Sequence, residues 1–141
     1  VRLVREKSRK AKVHIDAVQA LGKLQINVRE LGADMISFSA HKIHGPKGVG
    51  ALYVKEGLRL RPLIAGGGQE FEVRSGTENL PGICGFGVAA AIAAQDIENK
   101  NSHIRALKQH FIDQLRGIER VRINSPLDDQ HIDNILNVSF E

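Results

Sequence analysis

The sequence predicts an α/β fold, and three observations carry that reading. Short apolar runs at residues 13–15, 33–39 and 49–54 have the length and composition of strands. Residues 81–98 and 103–117 have the length of helices, the second with Ile104, Leu107, Phe111 and Leu115 on one stripe. Glycine-punctuated polar turns separate these runs, the longest at residues 66–78.

Each element follows from its residues. Residues 1–10 place Val1 and Val4 at helical spacing among charges, with Arg2, Arg5, Lys7, Arg9, Lys10 and Lys12 forming a solvated basic face. Residues 13–15 form a strand ending at Asp16, and 17–22 a turn or short helix. Residues 33–39 make the next strand, and 49–54 a third, apolar enough to be buried. Residues 81–98 read as a buried, alanine-rich helix in which the single Cys84 packs as a small hydrophobe. The amphipathic helix 103–117 ends at a glycine cap, Gly117. Residues 121–123 and 135–140 are strands joined through Asn124-Ser125-Pro126. The change of texture near residue 96 divides the chain into domains at 1–95 and 96–141. No internal repeat is visible.

Composition narrows the function classes. The 141 residues are 42% hydrophobic and 26% charged, a soluble profile. No apolar run approaches the roughly 20 residues needed to cross a bilayer, and no signal-peptide pattern opens the chain, so no membrane partner is expected. The net charge of +4 is modest and aromatics make up only 4%, which argues against nucleic acid as a partner. His103, His110 and His131 lack metal-ligand spacing, so no metal is expected. One cysteine excludes an internal disulfide and fits a reducing, cytoplasmic location.

The chemistry concentrates in two places. In Ser37-Phe38-Ser39-Ala40-His41-Lys42-Ile43-His44-Gly45-Pro46-Lys47-Gly48, an amine follows small polar residues and precedes a glycine-punctuated turn. Residues 35–38 read as a strand, and the C-terminal end of such a strand is where parallel α/β sheets present ligands, so Lys42 stands at a site mouth. A neutral lysine amine can form a Schiff base with a carbonyl cofactor. Upstream, Asp16 ends a second strand and Gln19 lies one turn later. A carboxylate there can pair with a protonated pyridinium, and an amide can reach a ring oxygen. Pyridoxal phosphate asks for an acidic partner at its ring nitrogen and a lysine at its aldehyde. Ser39 and His41 add a hydroxyl and an imidazole near the phosphate. Residues 66–68 can cradle an anion through backbone N–H groups or form a subunit contact.

Asp16-Ala17-Val18-Gln19, Ser37 to Lys42, Gly45-Pro46-Lys47-Gly48, Gly66-Gly67-Gly68-Gln69-Glu70 and Arg74-Ser75-Gly76-Thr77-Glu78-Asn79 together resemble the NifS/IscS-type cysteine desulfurases of the class V aminotransferase group. The resemblance implies a pyridoxal 5'-phosphate enzyme of the type I aminotransferase fold. Residues 1–95 would then be part of the large, mostly parallel-sheet domain, and 96–141 part of the small α/β domain. It implies Lys42 as the lysine that carries the cofactor, Asp16 as the pyridinium partner and Gln19 as donor to the ring hydroxyl. Ser39 and His41 would be phosphate ligands, with Thr77 reaching the phosphate of a neighbouring subunit in a homodimer. The implied reaction takes L-cysteine to L-alanine and hands the sulfur, as a persulfide, to an iron–sulfur scaffold or a sulfur relay.

That family's first phosphate turn, its ring-stacking residue, its persulfide-forming cysteine and its carboxylate-binding arginine have no counterpart in these residues. The chain also begins without Met inside a helix and stops within an apolar strand. It reads as an internal fragment, inactive alone. The alternatives are a selenocysteine lyase, another class V aminotransferase, or a non-catalytic folding or dimerisation module.

Overall fold

In the computed structural model, which describes Val1–Glu141, strand β1 (His14–Asp16) runs parallel to β2 (Met35–Ser39), and β2 runs antiparallel to β3 (Gly50–Val54). Ile36, on the middle strand β2, is fully buried, with Ala17 and Ala33 beside it and Ile15, Val28, Phe38 and Tyr53 packed around them. A fully buried isoleucine contributes about 1.5–3 kcal/mol. The third strand is not buried as its sequence suggests. Gly50, Ala51 and Leu52 are exposed because β3 lies at the sheet's edge, with only β2 beside it.

The basic N-terminal segment is only partly solvated. Helix α1 (Arg2–Lys7) is tied to the sheet by Arg5, whose guanidinium donates to Ala11 O and, at 2.6 Å, to the buried carboxylate of Asp34. Asp34 also accepts from Val13 N at 2.7 Å. The Arg5 hydrogen bond, then that of Val13, holds the Asp34 carboxyl below the ordinary carboxylate range. A short helix, α2 (Val28–Leu31), leads into β2. Asn27 caps it by accepting from Arg29 N and Glu30 N, and Gly32 ends it in the left-handed conformation.

Helix α3 (Leu80–Ala94) starts at the Asn79 cap, whose side chain accepts from Gly82 N. It is apolar on every face, which predicts burial. Only Gly82 and Ala89 are buried, however, while Leu80, Val88 and Ile92 are 65%, 61% and 56% exposed. Cys84 is exposed as well, contrary to the expectation of a packed thiol. The helix meets the sheet unit along its smallest residues, so its larger ones face outward.

Contacts divide the chain into Val1–Gln95 and Asp96–Glu141. In the second unit, helix α4 (Ile97–Leu115) begins six residues before the amphipathic stretch suggests. Its buried stripe differs too: Ile97, Ile112 and Leu115 are buried, whereas Leu107 and Phe111 are about half exposed. Lys108 lies on the inner stripe, its side chain 8% exposed and its ammonium 3.4 Å from Asp133, which also accepts from Arg105 at 3.0 Å. Gly117 is not a left-handed cap. That conformation falls to Arg120, with φ 58°. Strands β4 (Val121–Ile123) and β5 (Val138–Phe140) pair antiparallel. The second is three residues long because Asn137 turns aside, its N–H donating to Ser125 Oγ at 2.7 Å. No single helix is long and apolar enough to cross a membrane.

Candidate functional site

The parallel pairing of β1 and β2 sets Asp16 opposite Ser37, and Ala17 N donates to Ser37 O at 3.0 Å. The two strands therefore end side by side. Asp16 Oδ1 accepts from Val18 N at 3.0 Å, an Asx turn that fixes the carboxylate at the strand end. The chain then coils through residues 18–23, where Ala20 N and Leu21 N donate to Ala17 O. Gln19 is exposed on this coil, and its Oε1 accepts from Lys23 Nζ at 2.8 Å.

Beyond β2 the backbone tightens into a 3-10 turn, Ala40–Ile43. With about three residues per turn, positions i and i+3 share a side. Ala40 and Ile43 are buried, while His41 and Lys42 are exposed. His44 then takes the left-handed conformation (φ 66°, ψ 15°) that ends the turn, a placement costing of order 1–2 kcal/mol outside glycine. Ser39 Oγ and His41 Nδ1 are 2.8 Å apart and share a hydrogen bond. Partial burial, and then the positive charge of Lys42, lowers the pKa of Lys23. The two ammonium groups therefore belong to one electrostatic neighbourhood. Asp16, Gln19, Lys23, Ser39, His41 and Lys42 thus gather on two adjacent strand ends and the turns that follow them.

The turn carrying Lys42 is held from one side by α3 through contacts that leave no room for a side chain. A Cβ on Gly45 would lie 3.0 Å from Ala40 O and 3.1 Å from the Ala89 methyl, and one on Gly85 would lie 2.6 Å from Pro46 Cγ. Gly22 (φ +73°) touches the same turn: its Cβ would lie 2.8 Å from Ile43 Cγ2 and 3.1 Å from the Ala93 methyl. Gly82, Gly85, Ala89 and Ala93 recur at a helical repeat, so this seam was legible as a close-packing face. Lys23 was missed as well, although its spacing of four from Gln19 marks it as a one-turn neighbour.

Thr77 is not joined to this group by any hydrogen bond. It is exposed at the end of the glycine-rich loop, two residues before the Asn79 cap. The loop is held mainly by its own bonds, Ser75 Oγ to Gly67 O at 2.7 Å, Gly76 N to Gln69 Oε1 at 3.1 Å and Arg74 Nη1 to Gly76 O at 2.7 Å. It borders a cleft of about 450 Å³ lined by Arg59, Leu60, Phe71, Val73 and Ser75, none of which belongs to the Lys42 group.

The strand ends and the turns after them thus bring together two amines, one carboxylate, one amide, a hydroxyl and an imidazole. Over residues 1–141 the sequence matches the aminotransferase class-V family. It is 49% identical over 130 residues to a cysteine desulfurase of Gluconacetobacter diazotrophicus, covering 91% of this chain and 32% of that protein. The chain thus spans about a third of the length of the curated relatives it matches. Among solved structures, a NifS-like protein superposes with a TM-score of 0.93 at 43% identity, over 99% of this chain and 38% of that one. SspA, solved in complex with cysteine, superposes with a TM-score of 0.73 at 36% identity, over 99% of this chain and 38% of that one.

Proposed function

From the premise that this chain belongs to the aminotransferase class-V family, we propose that the protein it contributes to is a cysteine desulfurase, converting L-cysteine to L-alanine and passing the sulfur on as a persulfide. The observation that carries the reading is the pairing of β1 with β2, which sets Asp16 and the Lys42 turn at adjoining strand ends. The names of the curated relatives, and a structural neighbour solved with cysteine, support that substrate. Residues 1–95 form part of the large cofactor domain and 96–141 part of the small one.

Pyridoxal 5'-phosphate supplies, when bound, an electron sink for the substrate's α-carbon. Lys42 would hold the cofactor's aldehyde carbon and move a proton at the substrate's α-carbon. Asp16 would keep the ring nitrogen protonated, its carboxylate fixed in place by Val18 N. Gln19 would donate to the ring hydroxyl, and Ser39 with His41 would bind the phosphate from the hydrogen-bonded pose they already share. Thr77, exposed and apart from this group, would complete the phosphate site of a partner subunit, which makes the enzyme a homodimer. A cysteine outside these residues would take the sulfur for an iron–sulfur scaffold or a sulfur relay, in the cytoplasm.

The full-length protein given L-cysteine should yield L-alanine and persulfide sulfur, and Lys42→Ala should abolish both. Mixing Lys42→Ala subunits with Thr77→Ala subunits tests the shared site. A mixed dimer then has one site with both lesions and one with neither, so activity should return. No recovery after verified subunit exchange would return Thr77 to its own subunit's site or remove it from the site.

A further inference from the structure

Lys23 stands in the site without a role in the reading above. Its Nζ meets Gln19 Oε1 at 2.8 Å, and its charge interacts with that of Lys42. Packing sets its place. Gly22, the preceding residue, has left-handed backbone, and the position its Cβ would take is closed off by Ile43, the residue after Lys42. An ammonium has three donors and no acceptor, so it can bind only the oxygen end of an amide. The end of Gln19 left over is the NH2, with two donors.

We propose that Lys23 is a positioning residue that fixes the flip of the Gln19 amide, presenting its NH2 rather than its oxygen to the ring hydroxyl of the cofactor. The inference rests on the reading that Gln19 meets that hydroxyl. A donated N–H favours the ionised ring oxygen. An amide turned the other way offers a lone pair and favours the protonated one.

The charge type at position 23 then dictates the outcome. Lys23→Arg is donor-only and keeps the flip; Lys23→Met releases it. Lys23→Glu is acceptor-only, binds Nε2 and reverses it. Each change of charge also alters the field, to which Asp16, His41 and Lys42 contribute from the neighbouring elements. The field acts whether or not Gln19 is present, so a double-mutant cycle with Gln19→Met separates the two effects.

The measurement is the pH titration of the bound cofactor's visible absorbance in full-length holoenzyme, for each Lys23 variant in the Gln19 and the Gln19→Met backgrounds. With Gln19 present, Lys23→Glu should raise the midpoint by about one pH unit more than in the Gln19→Met background, the size of one charge-assisted hydrogen bond. Lys23→Arg should leave it in place. If Lys23→Glu does not fold, Lys23→Met carries the same comparison with a smaller excess. Equal shifts in the two backgrounds would reduce Lys23 to a charge and overturn the inference. A failure of the underlying reading looks different: Gln19→Met alone would not move the midpoint, or borohydride would not trap the cofactor on Lys42.

Discussion

The Lys42 turn and the glycine-rich loop are both short, exposed and rich in small residues, yet they are held in opposite ways. The turn is pressed between Gly22 and α3, with Ala40 and Ile43 buried and the Cβ positions of Gly22, Gly45 and Gly85 already occupied by neighbours. The loop bonds chiefly to itself. Glu70, Phe71 and Glu72 all have positive φ, Phe71 is 95% exposed, and a Cβ on Gly68 would meet nothing within 4 Å. Packing over-determines the first region, which suits the proposed role of holding the Lys42 amine in register. The second is defined chiefly by hydrogen bonds within itself and by the Ser75 N–H donating to Ile64 O at 3.2 Å, which suits the proposed role toward a partner subunit.

Chemistry should separate the two regions most. Asp16→Asn in the full-length protein removes the charge proposed to face the pyridinium, while its neutral amide can still accept from Val18 N. The rate should fall by about 10²–10³, the range for losing one preorganised electrostatic partner, with the fold intact by circular dichroism. An unchanged rate with unchanged cofactor content would remove Asp16 from the site.

Packing comes next. Gly22→Ala forces a side chain into left-handed backbone and against Ile43, and should cost about 2–4 kcal/mol of stability in denaturant titration. Gly68→Ala, the matched change in the loop, has ordinary φ of −86° and open space, and should stay within about 0.5 kcal/mol. Similar losses from the two substitutions would erase the contrast.

A smaller, pH-dependent effect sharpens the account of the sheet's foundation. The folded-state pKa of Asp34 lies below its unfolded value near 4, so its contribution is fully present above that pH and is lost as pH falls through the folded value. Acid unfolding of Asp34→Asn should therefore show a shallower pH dependence below about pH 4 than the parent. Identical slopes would show that the Arg5–Asp34 pair does not report on folding.

The gathering of Asp16 and Lys42 at the strand ends was legible because strand-end placement is local. A carboxylate closing one short strand and a lysine three residues past the next need only a parallel pairing to meet. What covers an element was harder to read. α3 is uniformly apolar, so hydrophobic periodicity does not say which face is buried, and only the helical spacing of its small residues marks the face that makes the close contact with the Lys42 turn. In α4 the sequence offers Leu107 and Phe111 as an apolar stripe, but the inner face runs through Ile104, Lys108, Ile112 and Leu115, because the aliphatic stem of Lys108 packs while its ammonium reaches Asp133. Lys23 escaped notice because lysine is ordinarily a solvated residue: its spacing offers it to Gln19, but only the fold sets it beside Lys42.

The central claim is that Lys42, and no other lysine of the chain, carries the cofactor. Reducing the full-length holoenzyme with borohydride and mapping the modified peptide by mass spectrometry tests it directly. The account predicts a pyridoxyl group on Lys42, with none on Lys42→Ala protein. A label on Lys23, Lys47 or Lys55 in its place would contradict it.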